Sequence, residues 1–207
     1  MAVAAKNVPK KSRWKKMIGI LFLVIALGIG GKFYMDRKKV DDLYRHGFSL
    51  LEEQIATYIV EHYAGVSKVE FSPIYVDWSI DTIETVPVIY DQSGNRAILG
   101  GNIRSQNIVF SGFGVPTGFY SLGFDHSGKH IIYLDASKDG GEIDVSNSTV
   151  LPEAARLEKS RDIDDNIDAL IADCQLTAIY KQDGGSPNAE IVYNVEIIQG
   201  EVDDKWQ

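Results

Sequence analysis

"YDQSGNRAIL" occupies residues 90–99 and "FDHSGKHIIYL" residues 124–134. Both read aromatic, Asp, any residue, Ser-Gly, a polar pair and an apolar run. The fold turns on whether Asp91 and Asp125 form a catalytic carboxylate pair or close two similar turns. An aspartic-protease dyad places Ser or Thr directly after each carboxylate, where its hydroxyl can hydrogen-bond the pair. Here Gln92 and His126 intervene. Asp followed by Ser-Gly at the end of a β-run makes an Asx-type turn, with Gly supplying the positive φ. Two equivalent hairpins in one meander are therefore expected.

Around these turns the apolar period is close to two, across "KVEFSPIYVDW", "TIETVPVIYD", "NIVFSG" and "FYSLGF". Pro73 and Pro87 inside two of the runs point to edge strands or bulges. Consecutive strands this short and close leave no room for parallel crossovers, so mostly antiparallel pairing is expected. Upstream, Tyr44, Phe48, Leu51, Ile55, Ile59 and His62 recur at spacings of three or four, with Glu52, Glu53 and Glu61 largely elsewhere. This predicts an amphipathic helix over 36–64, weakened at Gly47 and stopped by Gly65.

A second helix is expected from Pro152 or from Ser160, a good N-cap, with Ile163, Ile167, Leu170, Ile171 and Cys174 on one apolar stripe. "LTAIYKQ" and "AEIVYNVEII", joined across "DGGSPN", read as a C-terminal hairpin. The order is that of an α+β fold, with cystatin-like or NTF2-like layers as the expected arrangement.

The amino end is of another kind. "MIGILFLVIALGIGG" (17–31) carries no charge, but fifteen helical residues reach only about 22 Å against the roughly 30 Å of a bilayer core. Extending the span to 14–35 closes the gap, with Trp14 and Phe33-Tyr34 at the interfaces and Lys16 and Lys32 snorkelling. The competing reading is a cleavable leader with Ala26-Leu27-Gly28 as its cleavage site. "KFYMDRKK" looks more like a stop at a membrane surface. Six basic residues precede the uncharged run 17–31 and four (Lys32, Arg37, Lys38, Lys39) follow it closely, which orients the N-terminus to the cytoplasm. The expected organisation is a basic tail (1–13), a transmembrane helix (14–35), a juxtamembrane helix (36–64) and an extracytoplasmic domain (65–207).

The formal net charge of −8 hides an asymmetry, since residues 40–207 carry 28 acids against 11 bases. Such a body repels phosphate backbones, so nucleic-acid binding is not expected. Cys174 is the only cysteine, which excludes an intrachain disulfide and a Cys-rich zinc site. An exported domain so poor in cysteine fits the outside of a Gram-positive cell better than a disulfide-stapled eukaryotic module.

In "DASKDGGEIDVS" (135–146), Asp135, Ser137, Asp139 and Gly140 match the opening of an EF-hand-type calcium loop. The twelfth position, where a bidentate Glu completes the shell, is Ser146, so Glu142 or Asp144 would have to substitute. The weak calcium set is thus Asp135, Ser137, Asp139 and Asp144, weighed against a solvated acidic turn. His126 and His130 straddle a turn and share no helical face. His46 and His62 read as packing or surface residues, and zinc is not expected. Phe113, Phe119 and Tyr120 in the Gly- and aromatic-rich 110–124 are candidates for an exposed contact patch, with inward-facing strand corners as the alternative. The chain shows no nucleophile elbow, phosphate-binding glycine loop or dinucleotide fingerprint.

"LLEEQIATYIVEHYAGVSKVEFSPIYV" (50–76), an amphipathic helix ending in Tyr-x-Gly-Val before a strand with Val-x-Phe, resembles the ectodomain start of small membrane-anchored or lipoprotein families of uncharacterised function in streptococci and related Firmicutes. Those families commonly carry a lipobox cysteine, which is missing here. The resemblance implies an anchored ectodomain and no catalytic residues. The expected function is binding a protein partner at the cell envelope, without cofactor or turnover. The alternatives are an envelope-acting hydrolase using carboxylates and a calcium-responsive adhesion module.

Overall fold

The computed structural model describes residues 11–100, 102–103, 108–109, 113–115, 122–124, 129–134 and 141–207. Side chains are described from residue 37 onward, except at 102–103, 108–109 and 114–115. Two compact units divide the chain, Met1–Asp42 and Leu43–Gln207. Helix α1 runs without interruption over Lys11–His62. The expected span 14–35 is helical backbone within it, and its side chains lie outside the described residues. Among the described residues no helix is long and apolar enough to cross a membrane.

After α1 come β1 (Tyr63–Ala64), β2 (Val66–Phe71), β3 (Ile74–Asp77), β4 (Thr82–Thr85), β5 (Pro87–Asp91) and β6 (Arg96–Ile98). Short strands β7 (Asn102–Ile103), β8 (Ile108–Val109), β9 (Phe113–Val115), β10 (Leu122–Phe124), β11 (His130–Tyr133) and β12 (Glu142–Asp144) follow. The chain continues through α2 (Arg161–Ala172), β13 (Tyr180–Lys181), β14 (Glu190–Val192) and β15 (Ile197–Gln199). The fold is α+β, as expected, with mostly antiparallel strands.

Two four-stranded sheets carry most of the globular unit, in the orders β14-β2-β5-β6 and β15-β3-β4-β9. They are continuations of the same three stretches of chain. β2 passes into β3 through Ser72-Pro73, β4 into β5 through Val86, and β14 into β15 through 193–196. All three therefore leave their ladders at one level, a crease between the sheets. Ser72 serves the crease twice, donating its N–H to the Val86 carbonyl (3.0 Å) and accepting from the Val86 N–H on its hydroxyl (2.9 Å).

Three strand expectations are corrected. The C-terminal hairpin does not form: β13 pairs antiparallel with β1, whereas β14 and β15 run parallel to β2 and β3. The steric rule against short parallel crossovers governs strands adjacent in sequence. Here the whole body of the domain is the crossover. Nor does Pro87 mark an edge, because β5 is interior; it occupies the first position of the strand, where the missing N–H is tolerated. Strand pairs β5-β6 and β10-β11, which flank the two Asp-Ser-Gly segments, are antiparallel but lie in different sheets rather than in one meander, and residues 125–128 lie outside the described residues.

Helix α1 enters the core as expected through Phe48, Leu51, Ile55 and Ile59, all fully buried, each burial worth roughly 1.5–3 kcal/mol. Gly47, expected as a weak point, is a contact: a Cβ there would lie 2.9 Å from the Phe124 ring. The helix stops at His62, and Gly65, beyond Tyr63 and Ala64, turns the chain with φ +84°. In α2, Ser160 is the N-cap, accepting from the Ile163 N–H (3.3 Å), and Ile163, Ile167 and Leu170 are buried. Cys174 is not on the buried stripe. It is exposed, at φ +60° just past the last turn, where the chain reverses to bury Leu176.

The largest departure from simple amphipathicity is Glu52, which is 0% exposed. Its Oε2 accepts from the Asn194 N–H (3.0 Å), a backbone donor at the crease between β14 and β15. Burial lifts this carboxyl to about 8, against the lowering pull of the Asn194 N–H and the Thr85 hydroxyl. The folded protein thus holds near pH 8 a proton that the unfolded chain releases near its ordinary value of 4.5. The associated stability, on the order of 5 kcal/mol, is fully present below that lower value and is lost as pH rises through the upper one. Glu52→Gln keeps the acceptor and removes the ionisation. Urea unfolding should show the wild-type protein losing several kcal/mol (~3–5) between pH 5 and 8 while the variant stays nearly level; parallel pH slopes for the two would refute this role.

Candidate ligand groove

The Asx turn at Asp91 belongs to one wall of a polar recess among the described residues. Asp91 ends β5 and is 1% exposed. Its Oδ1 accepts from the N–H groups of Ser93 and Asn95, both at 2.9 Å, which is the Asx turn expected, with Gly94 at φ +84°. Its Oδ2 reaches further, accepting from the Asn95 side-chain amide and the Thr177 N–H (2.9 Å each) and from the Ala178 N–H (3.3 Å). Burial alone would raise this carboxyl. The donors from Thr177, Asn95 and Ala178 outweigh it and hold Asp91 well below the usual carboxylate range. The charge is saturated by the protein and acts as a clasp between the β5-β6 turn and segment 177–178.

The opposite wall is the "DGGSPN" loop, whose register is set at the end of α1. Ser186 donates its hydroxyl to the Tyr63 carbonyl (2.8 Å), accepts from the Val66 N–H (2.9 Å), and donates its own N–H to the Val60 carbonyl (2.7 Å). Two glycines permit the approach. A Cβ on Gly65 would lie 1.8 Å from the Ala178 carbonyl oxygen, and one on Gly185, at φ +38°, would lie 2.1 Å from the Val60 oxygen. Any side chain at either position would push the walls apart.

Between the walls lies a half-open groove of about 560 Å³, within the range of small-molecule pockets. It is lined by residues 64–67 and 185–189 together with Gln92, Ala178, Tyr180 and Gln182. Strand alternation sorts the residues of β13. Tyr180 and Gln182 face the groove, and Lys181 between them points away to Asp164, its Nζ 2.5 Å from Oδ2. Asp164 Oδ1 also accepts from the hydroxyls of Tyr58 (2.8 Å) and Tyr63 (2.6 Å). Burial, then this carboxylate, raises both phenols, while Lys181 and the two hydroxyls outweigh burial to hold Asp164 below its ordinary value. This network ties α1, α2 and β13 together behind the groove. Compared with protein-family models, curated proteins and solved structures, the chain matches none.

The sites expected from sequence fare differently. Phe113 is corrected: it is 3% exposed and belongs to the core, because its β9 position opposite Thr85 turns the ring inward. Phe119 and Tyr120 lie outside the described residues, as do Asp125, His126, Asp135, Ser137 and Asp139. Of the calcium set only Asp144 is described. It sits on β12, accepts from the Ser146 N–H (3.0 Å) and hydroxyl (2.5 Å), and faces Lys129 at 3.7 Å. The Ser146 bonds lower its pKa. Among the described residues no three His, Cys, Asp or Glu side chains are grouped to hold a metal.

Two histidines that looked unrelated meet. His46 Nε2 donates to the Ser148 carbonyl (2.7 Å), and the Nδ1 atoms of His46 and His130 share a hydrogen bond at 3.2 Å. His62 stacks on Tyr58 as a packing residue. The groove itself was missed, because its residues come from four separated segments. The available signal was the Asp-x-Ser-Gly turn together with the Gly-Gly-Ser loop, two rigid corners that closed walls require.

Asp91→Asn turns an amide N–H₂ toward donors and opens the clasp. It should cost roughly 2–4 kcal/mol, nearly as much as Asp91→Ala, in urea unfolding. A loss below about 0.5 kcal/mol in either variant would show that the turn holds without this carboxylate.

Proposed function

We propose that this chain is a single-pass, membrane-anchored binding module of the cell envelope, with a cytoplasmic basic tail, a span over 14–35 and an extracytoplasmic acidic domain. Its layering follows cystatin-like or NTF2-like folds, a helix laid along creased sheets, and its kinship is with the anchored ectodomain families of streptococci and related Firmicutes. The uncharged run at 17–31, the flanking aromatic and basic residues and the strongly acidic body support the topology.

The single observation that carries the binding reading is the preformed groove, whose walls are held by Asp91 and Ser186 before any ligand arrives. Preorganisation of this kind lowers the cost of association. The most strongly shifted carboxyls, Glu52 and Asp91, are engaged inside the fold, one at the crease and one in the clasp. These positions favour recognition over turnover by paired acids.

The topology is tested on the full chain tagged at both ends and expressed in a Gram-positive host. Protease added to intact cells should remove the C-terminal tag, and the N-terminal tag should stay protected until the membrane is breached. A protected C-terminal tag, or recovery of a shortened chain from the medium, overturns the proposal.

A further inference from the structure

The groove's lining has a chemical bias that narrows what it takes. Among the described residues it contains no acidic or basic side chain, although residues 40–207 carry 28 acids and 11 bases. Lys181, between the lining residues Tyr180 and Gln182, is absent from the lining and paired with Asp164. What faces the groove instead is three exposed side-chain amides, Gln92, Gln182 and Asn188, and the ring of Tyr180, which is 58% exposed.

An amide presents a donor and an acceptor in one plane, which matches a hydroxyl that must both donate and accept. A lone aromatic ring at the rim offers a flat apolar face with a polar tip. A polyhydroxylated ring, apolar on its C–H face and polar around its edge, satisfies both at once. An ionic ligand would leave its charge without a partner here, and a polyanion would also be repelled at long range by the acidic body. An extended peptide finds little of what it needs, a free strand edge with pockets for alternate side chains. The Val66 N–H at the groove floor already donates to Ser186, and the Gly65 carbonyl already accepts from Gln92.

We propose that the groove binds a neutral saccharide, one sugar ring packing on Tyr180 while its hydroxyls bond Gln92, Gln182 and Asn188. This deepens the binding reading above and rests on it. The walls are rigid and the amides are side chains on fixed backbone, so the site is a shallow reader of a polymer face and not a deep pocket for a single metabolite.

The test uses the full chain in phosphocholine nanodiscs, titrated with chitotetraose, maltotetraose and a neutral tetra-alanine peptide, with amide NMR shifts and calorimetry as readouts. Binding of one tetrasaccharide at about 0.1–1 mM is expected, with groove amides shifting. Tyr180→Ala should weaken it about tenfold or more, Gln182→Ala severalfold, and Tyr180→Phe should keep it, all three with unchanged melting temperature. Binding of the peptide alone, sensitive to Tyr180→Ala, overturns the saccharide assignment and leaves the groove as a binding site. If neither saccharides nor peptide move the groove signals, the binding reading of the groove falls with it.

Discussion

One buried carboxyl sits where the sheets change over. Three stretches of chain leave their ladders at the level of Ser72, Val86 and Asn194, and each interruption exposes backbone groups that the sheet no longer serves. Ser72 answers Val86 within the sheets. Asn194 is answered from outside them, by Glu52 on α1. A helix packed on a creased sheet needs a polar side chain at that one point, and an apolar residue there would leave a buried N–H unpaired. The surrounding apolar contacts of Phe48, Leu51, Ile55 and Ile59 supply the burial energy, and Glu52 on the same helix accepts from the Asn194 N–H.

The groove follows from that arrangement at one remove. With α1 fixed, its last carbonyls at Val60 and His62, and that of Tyr63 in β1, become the anchor for the loop around Ser186. Asp91 then clamps 177–178 to the first hairpin. The two carboxyls illustrate opposite outcomes of burial. Glu52 has one backbone donor and burial drives it toward its neutral form, whereas the donors from Thr177, Asn95 and Ala178 outweigh burial at Asp91 and hold it charged.

Local signals were legible where the chain itself supplies the partner. The Asp91 turn, the Ser160 cap, the apolar faces of both helices and the α+β order are written within a few residues of one another. Failures cluster where the partner is distant. Glu52 looked like a solvent-facing acid because periodicity does not reveal a donor 142 residues away. Phe113 looked available because its glycine-rich surroundings concealed the pairing of β9 with β4. The C-terminal segments looked like a hairpin because their lengths and turn suit one, and only the vacant edges of β2 and β3 drew them apart.

By itself the sequence determined the local vocabulary of this protein: a charge-free stretch near the amino end, an acidic body, helices and strands of set length, and an Asp-Ser-Gly corner whose chemistry forces a turn. Those properties depend on neighbours within one or two turns of chain. The tertiary structure alone decided which strands pair in parallel, which carboxyl goes into the core, which histidines meet and where the walls of the groove stand. Each of these depends on matching hydrogen-bond donors to acceptors across 84 residues or more. That matching becomes defined only when packing brings the segments together and removes water as the competing partner.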